Sequence, residues 1–392
     1  MKCLSIIGLS IFLIVKSINA QQYIWTQKTS LPSSYRNYPS AFATDSFGYL
    51  GIGNSAGVML KDFWKYDPHL NIWTQIADFA GAARFGAGSF AINGKGYVGM
   101  GWVTNTGNAV TDFYEYSPYI NQWTLKANSS FPVYTMISFV IGTNGYIGTG
   151  YYPYTNIMKF YNVNTDTWTS NNPFFGTARQ SAVGFSIGNH GYITTGSDGT
   201  SMMNDLWEYD PITDSWTQKS NFPGSSRYGA VGFVINNTGI VGTGGDGINF
   251  FTDFYSFNPA NNQWDTVASL PFLGRRHGSG FSIGNKGYIS CGLSAIGEMN
   301  DLWELSEVTS IAEATPLKPQ VYFNQSAQVL HVSGLKNKPT TLTVTSMTGQ
   351  IVLHQVCTKE NMQWPLALAK GVYSYSLAGN EEQTSGKFEI MH

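Results

Sequence analysis

Six tryptophans, Trp25, Trp73, Trp123, Trp168, Trp216 and Trp264, recur at spacings of 48, 50, 45, 48 and 48 residues. Each is followed by Thr, or by Asp after Trp264. Self-similarity at such a period means a repeated supersecondary unit, so the chain must fold as an array of like elements. Other positions keep the frame. Eleven residues after five of the tryptophans stand Arg36, Arg84, Arg179, Arg227 and Arg275, with Tyr134 at the third. Gly-aromatic pairs follow (Gly48-Tyr49, Gly96-Tyr97, Gly145-Tyr146, Gly191-Tyr192, Gly287-Tyr288), with Gly239-Ile240 the exception. Most units then run Asp-apolar-aromatic, as in Asp205-Leu206-Trp207, and several end in an aromatic-Asp/Asn/Ser-Pro turn such as Tyr66-Asp67-Pro68.

Each unit reads as four short strands, alternating at period 2 and broken by glycines that tolerate positive φ. A lone unit cannot bury both faces, whereas six stacked radially bury their aromatics between neighbours, which is a propeller. The pattern resembles the kelch repeat over about residues 23–305. The last unit ends at Asp301-Leu302-Trp303-Glu304-Leu305 without a following tryptophan, while Tyr23–Gln27 supplies a Trp-Thr strand with no unit before it. The resemblance implies closure by that N-terminal strand, removing the open edge. The expected fold is therefore all-β: a six-bladed kelch β-propeller (21–307) closed by the N-terminal strand, then a small antiparallel β-sandwich.

Composition narrows the function. Charged residues make up 12%, roughly half the usual share, with 43 glycines and 15% aromatics. A net charge of -2 without a Lys/Arg cluster leaves no footprint for nucleic acid. Residues 1–20 have a signal peptide's order: Lys2, an apolar run from Leu4 to Val15, and small Ala20 before a cut. That run is too short to span a bilayer, which takes about 20 residues. The mature protein is expected to be secreted or surface-displayed, monomeric, and without a transmembrane segment or cofactor. Cys291 and Cys357 fall in different domains, and two distant thiols make neither a zinc site nor a redox pair.

After a linker at 308–318, residues 319–392 show five alternating strands: 328–332, 341–346, 350–355, 372–377 and 386–390. The turn Met347-Thr348-Gly349-Gln350, the segment Leu368-Ala369-Lys370-Gly371-Val372-Tyr373 and the closing Gly386-Lys387-Phe388 resemble the type A sorting domain of the type IX secretion system of Bacteroidetes. Tyr322-Phe323-Asn324-Gln325 replaces that family's early Asn-Pro motif. The resemblance implies secretion machinery as a partner.

In a repeat protein, a residue present in every unit is scaffold by default. On that criterion Glu115, Glu208 and Glu304 are strand-surface residues, and Asp198 and Asp246 belong to Asp-Gly turns. The arginines have two readings. Each guanidinium finds a bidentate partner in a neighbouring blade, among Asp62, Asp112, Asp205, Asp253 and Asp301, or the series rings one end of the channel for an acidic ligand. Departures from the frame are the other candidates: Tyr134, Arg276 and His277 beside Arg275, Trp102, Tyr151-Tyr152 and Phe250-Phe251. Exposed aromatics in loops suit stacking on sugars or on a protein surface. His69, His190 and His277 lack metal-ligand spacing, and the only non-recurrent acid–base residues are Glu298 and His277. The reading that follows is a non-catalytic binding module for an extracellular glycan or protein. The alternative is a carbohydrate-acting propeller such as the kelch-type sialic acid mutarotases.

Overall fold

The computed structural model describes residues 23–104, 107–308, 320–324, 328–333, 335, 340–358, 362–379 and 383–390. The expected signal peptide (1–20) and nearly all of the expected linker (308–318) lie outside the described residues. Every regular element described is a β-strand, and no described helix is long and apolar enough to cross a membrane. The chain divides into two compact units between Val308 and Thr309.

The first unit holds six four-stranded antiparallel sheets. Four use strands consecutive in sequence, for example Val183–Ile187, His190–Thr194, Leu206–Asp210 and Ser215–Lys219, and a fifth has the small hairpin Trp102–Val103 with Asn108–Ala109 between its second and third strands. The sixth takes Ser279–Ile283, Lys286–Ser290 and Leu302–Glu307, and completes itself with Tyr23–Lys28 from the other end of the unit. In that pairing Trp25 lies opposite Leu305. The first strands of the sheets neighbour one another in cyclic order.

Two recurrent residues explain how the sheets join. The glycine of each Gly-aromatic pair faces a phenylalanine from the preceding sheet: Phe42 on Gly96, Phe90 on Gly145, Phe139 on Gly191, Phe185 on Gly239, Phe233 on Gly287, and Phe281 on Gly48. A Cβ at any of these glycines would run into the ring. Each repeat tryptophan except Trp216 donates its indole N–H to a carbonyl on the segment leaving the preceding sheet's outer strand, as from Trp73 to Thr29 (2.9 Å) and Trp123 to Ala77 (3.0 Å). The indole thereby buries its apolar body and still satisfies its one donor. Trp25 does the same to Ala268 at 2.7 Å, joining the two ends of the unit.

The second unit has two antiparallel sheets around one core of Leu330, Val332, Leu342, Val344, Leu377 and Ile390, among others. Its described residues form seven strands. The two that sequence reading missed are Gln320–Asn324 and Met362–Pro365.

Candidate functional site

The five recurrent arginines are buried, at 0–1% exposure. Each makes a two-pronged pair with its aspartate: Arg36–Asp62, Arg84–Asp112, Arg179–Asp205, Arg227–Asp253 and Arg275–Asp301, closest at 2.5–2.7 Å. The aspartate belongs to the arginine's own sheet rather than to a neighbouring one, which corrects the sequence expectation. What reaches the neighbour is the backbone. The carbonyls of Arg84, Arg179, Arg227, Arg275 and Arg36 accept hydrogen bonds from Gly53, Gly150, Gly196, Gly244 and Gly292 of the preceding sheet. Each arginine thus ties two sheets, and its guanidinium is committed. Burial alone would raise the Asp62 pKa, but the hydrogen bonds and charge of Arg36, with Ser33 and Trp64, hold it below the usual carboxylate range.

Tyr134 does not stand in for an arginine. The Gly101 N–H bonds the carbonyl of Val133 at 2.9 Å, so Val133 occupies the arginine's place. The connection from Trp123 is one residue shorter, which shifted the count. At the aspartate's place stands Ile157, whose carbonyl receives the Thr149 N–H as that of Asp253 receives Thr243. The third sheet has exchanged both partners of the ion pair for apolar residues.

Tyr134 belongs instead to the next column, made of Asn37, Phe85, Tyr134, Gln180, Tyr228 and Arg276, which does not recur. These residues bridge to the segments following the second strands: Asn37 to Asn54, Phe85 to Trp102, Tyr134 to Tyr151, Gln180 to Ser197, Tyr228 to Gly245 and Arg276 to Leu293. One position further, Tyr38, Gly86, Thr135, Ser181, Gly229 and His277 all have positive φ. Their backbones form a ring of six hydrogen bonds, each N–H donating to the carbonyl of the member in the preceding sheet, with Tyr38 to His277 (2.8 Å) joining last to first.

Around that ring the aromatic departures form one connected arc. His277 stacks on Tyr38 at 3.9 Å between ring centres, and Tyr228 flanks it at 5.3 Å. Tyr38 meets Phe85, Phe85 meets Tyr134, and Tyr134 meets both Trp102 and Tyr151. Trp102 continues to Tyr152, and Tyr151 to Tyr154. Tyr152 is exposed and donates its hydroxyl to Asn108 at 2.6 Å. Arg276 lies over Tyr228 and Phe250 and donates to the Tyr228 hydroxyl. Phe251 packs on the paired Arg227 of its own repeat instead.

The acid–base candidates are otherwise engaged. Glu298 accepts from the Asn37 side chain and the Ala56 N–H, both at 2.9 Å, joining the last sheet to the first. Burial, helped by the charge of Arg276, lowers the His277 pKa to about 3, so its ring is neutral at physiological pH. Burial raises the Tyr38 pKa although Arg276 opposes it. Glu115, Glu208 and Glu304 accept from Tyr97, Tyr192 and Tyr288. Glu304 is buried, which corrects its reading as a surface residue. Asp198 and Asp246 accept N–H bonds within their own turns. Cys291 and Cys357 are buried free thiols. No cluster of three metal-ligating side chains occurs among the described residues.

Sequence reading missed Tyr38, Phe85, Gln180, Tyr154 and Tyr228. A signal for most of them was present: aligned on the arginine, the next two columns vary where their neighbours repeat.

The solved structure of YjhT is similar to this chain, with a TM-score of 0.60 at 17% identity over 71% of this chain and 97% of that one. The chain has a β-propeller fold. No protein-family model matches the sequence, and no curated protein is detectably similar to it. The aromatic arc lies where the connections between sheets meet the segments after the second strands.

Proposed function

We propose that this is a closed six-bladed propeller of the kelch kind, exported by its leader, whose channel mouth binds an extracellular glycan without catalysis. The arc from Tyr228 to Tyr152 carries this reading. Its residues break the repeat, they touch one another, and several keep part of their surface in solvent, as a platform for sugar faces requires. Aromatic rings held by backbone bridges are also pre-organised, which lowers the entropic cost of binding. The buried arginines are left to the scaffold. The C-terminal unit, by its resemblance to type A sorting domains, directs secretion or surface attachment, and the protein acts as a monomer.

A second reading is a carbohydrate-acting propeller of the sialic acid mutarotase kind. The fold shared with YjhT supports it at the level of fold. Against it stand the neutral His277 and the engaged Glu298. A glycan array probed with the full-length protein tests the proposal. Hits that vanish in Trp102→Ala support it, and an array without a single hit contradicts it. Conversion of a bound sugar between anomers, followed by NMR, would favour the second reading.

A further inference from the structure

One cation at the mouth lacks the partner that every recurrent arginine has. Arg276 makes no ion pair among the described residues, and its one side-chain acceptor is the Tyr228 hydroxyl. Its Nε is buried without a hydrogen-bond partner, as it is in Arg275, and so is Nε2 of the adjoining His277, a residue only 7% exposed; what sets Arg276 apart is the missing carboxylate. Tyr38 stacks on that imidazole, Tyr228 flanks it, and Phe250 covers the guanidinium on another side. Two phenols, a neutral imidazole and a guanidinium therefore meet with no carboxylate among them. Beside it, Arg275 shows how this chain treats a scaffold arginine: two oxygens of Asp301 at 2.5 and 2.7 Å.

We propose that Arg276, with the Tyr38 and Tyr228 hydroxyls beside it, is a subsite for an anionic group on the bound saccharide, a carboxylate or a sulfate ester. This rests on the glycan reading of the mouth and specifies its ligand. A guanidinium already held against two aromatic faces loses little further freedom on binding an anion, and partial burial strengthens the charge-assisted hydrogen bonds it would make. The Tyr38 phenol carries its proton at neutral pH, as tyrosine ordinarily does, so it serves as a donor to such a group. The aromatic arc running away from Arg276 supplies faces for the rest of the sugar, which fixes a polarity: anionic group at Arg276, neutral rings towards Trp102 and Tyr152.

Isothermal titration of the full-length protein would compare three tetrasaccharides that differ at one terminal residue: glucose, glucuronic acid and glucose 6-sulfate. Wild type is expected to bind at least one acidic probe tenfold or more tighter than the neutral one. Arg276→Gln should abolish that preference while leaving neutral affinity within about threefold, and Arg276→Lys should keep part of it. Trp102→Ala should weaken all three. Which acidic probe gains identifies the group. Equal affinity for all three probes, or a preference that survives Arg276→Gln, overturns the subsite while the glycan reading stands. Absence of binding by every probe contradicts both.

Discussion

Tyr38 and His277 stack face to face, 3.9 Å between centres and 17° from parallel, although they come from opposite ends of the first unit. The Tyr38 N–H also bonds the His277 carbonyl at 2.8 Å. This contact joins the first of the six sheets to the last within the ring of backbone hydrogen bonds, as the pairing of Tyr23–Lys28 with Leu302–Glu307 joins the two ends of the unit through its strands. Tyr38→Ala is expected to cost roughly 3–5 kcal/mol, the range for truncating a buried aromatic, lowered somewhat because Tyr38 is only partly buried. Urea unfolding followed by tryptophan fluorescence would measure it.

His277 gives the same contact a pH dependence. Its pKa falls from an ordinary 6.5 to about 3 on folding, so the unfolded chain takes up a proton at pH values where the folded one does not. The stability due to its neutral state is complete above pH 6.5 and declines as pH falls towards 3. The other groups that face it are Arg276, Tyr38 and Tyr228. Asp62, held below its ordinary value by Arg36, adds a further loss in the acid range below it. A His277→Gln variant should show a flatter decline than wild type between pH 6.5 and 4 in thermal melts. An unchanged slope would contradict the assignment.

The third blade offers a natural experiment on the arginine–aspartate pairs. Arg179→Val alone leaves Asp205 without its partner and should cost about 3 kcal/mol, the lower end for breaking a buried pair, since Asp205 keeps some solvent contact. The double variant Arg179→Val with Asp205→Ile copies Val133 and Ile157. It is expected to recover most of that loss, because an apolar pair has no desolvation cost to offset. A double variant no more stable than the single one would show that the third blade's solution depends on its own surroundings.

Gly96 faces the Phe42 ring so closely that a methyl group has no room. Gly96→Ala should destabilise by about 1–3 kcal/mol, as overpacking does. Phe42→Leu in the same chain should return part of it. The coupling between the two sites, read from a double-mutant cycle, distinguishes this contact from a simple loss of backbone freedom.

The blades were legible in the sequence because their residues repeat for physical reasons that repeat. Five of the six repeat indoles donate to a carbonyl of the preceding sheet, each Gly96-like position has a ring against it, and each Arg84-like guanidinium has an acid and a carbonyl. The same regularity misled at Tyr134. Counting from Trp123 assumed a connection of constant length, whereas the chain there is one residue shorter and hydrogen bonding places Val133 in the arginine's position. The mouth was only half legible. Trp102, Tyr151, Tyr152, Arg276 and His277 stood out as breaks in the frame, but Tyr38 and Phe85 are ordinary aromatics in an aromatic-rich chain. Only the convergence of six connections at one end, invisible in a linear string, makes them neighbours. In the second unit, Gln320–Asn324 has the apolar run Val321-Tyr322-Phe323 in place of alternation and Met362–Pro365 is only four residues long, so their pairing with Val329–Ser333 defines them.

On the proposed function, the irregular residues around the backbone ring, rather than the repeated arginines, hold a sugar. A crystal structure of the protein soaked with an oligosaccharide hit from the array is the sharpest test. Density is expected against Trp102, Tyr134 and Tyr152, reaching towards Arg276, with all five arginine–aspartate pairs intact. A sugar seated on the opposite end, or one that displaces Asp205 or Asp253 from its arginine, would contradict it.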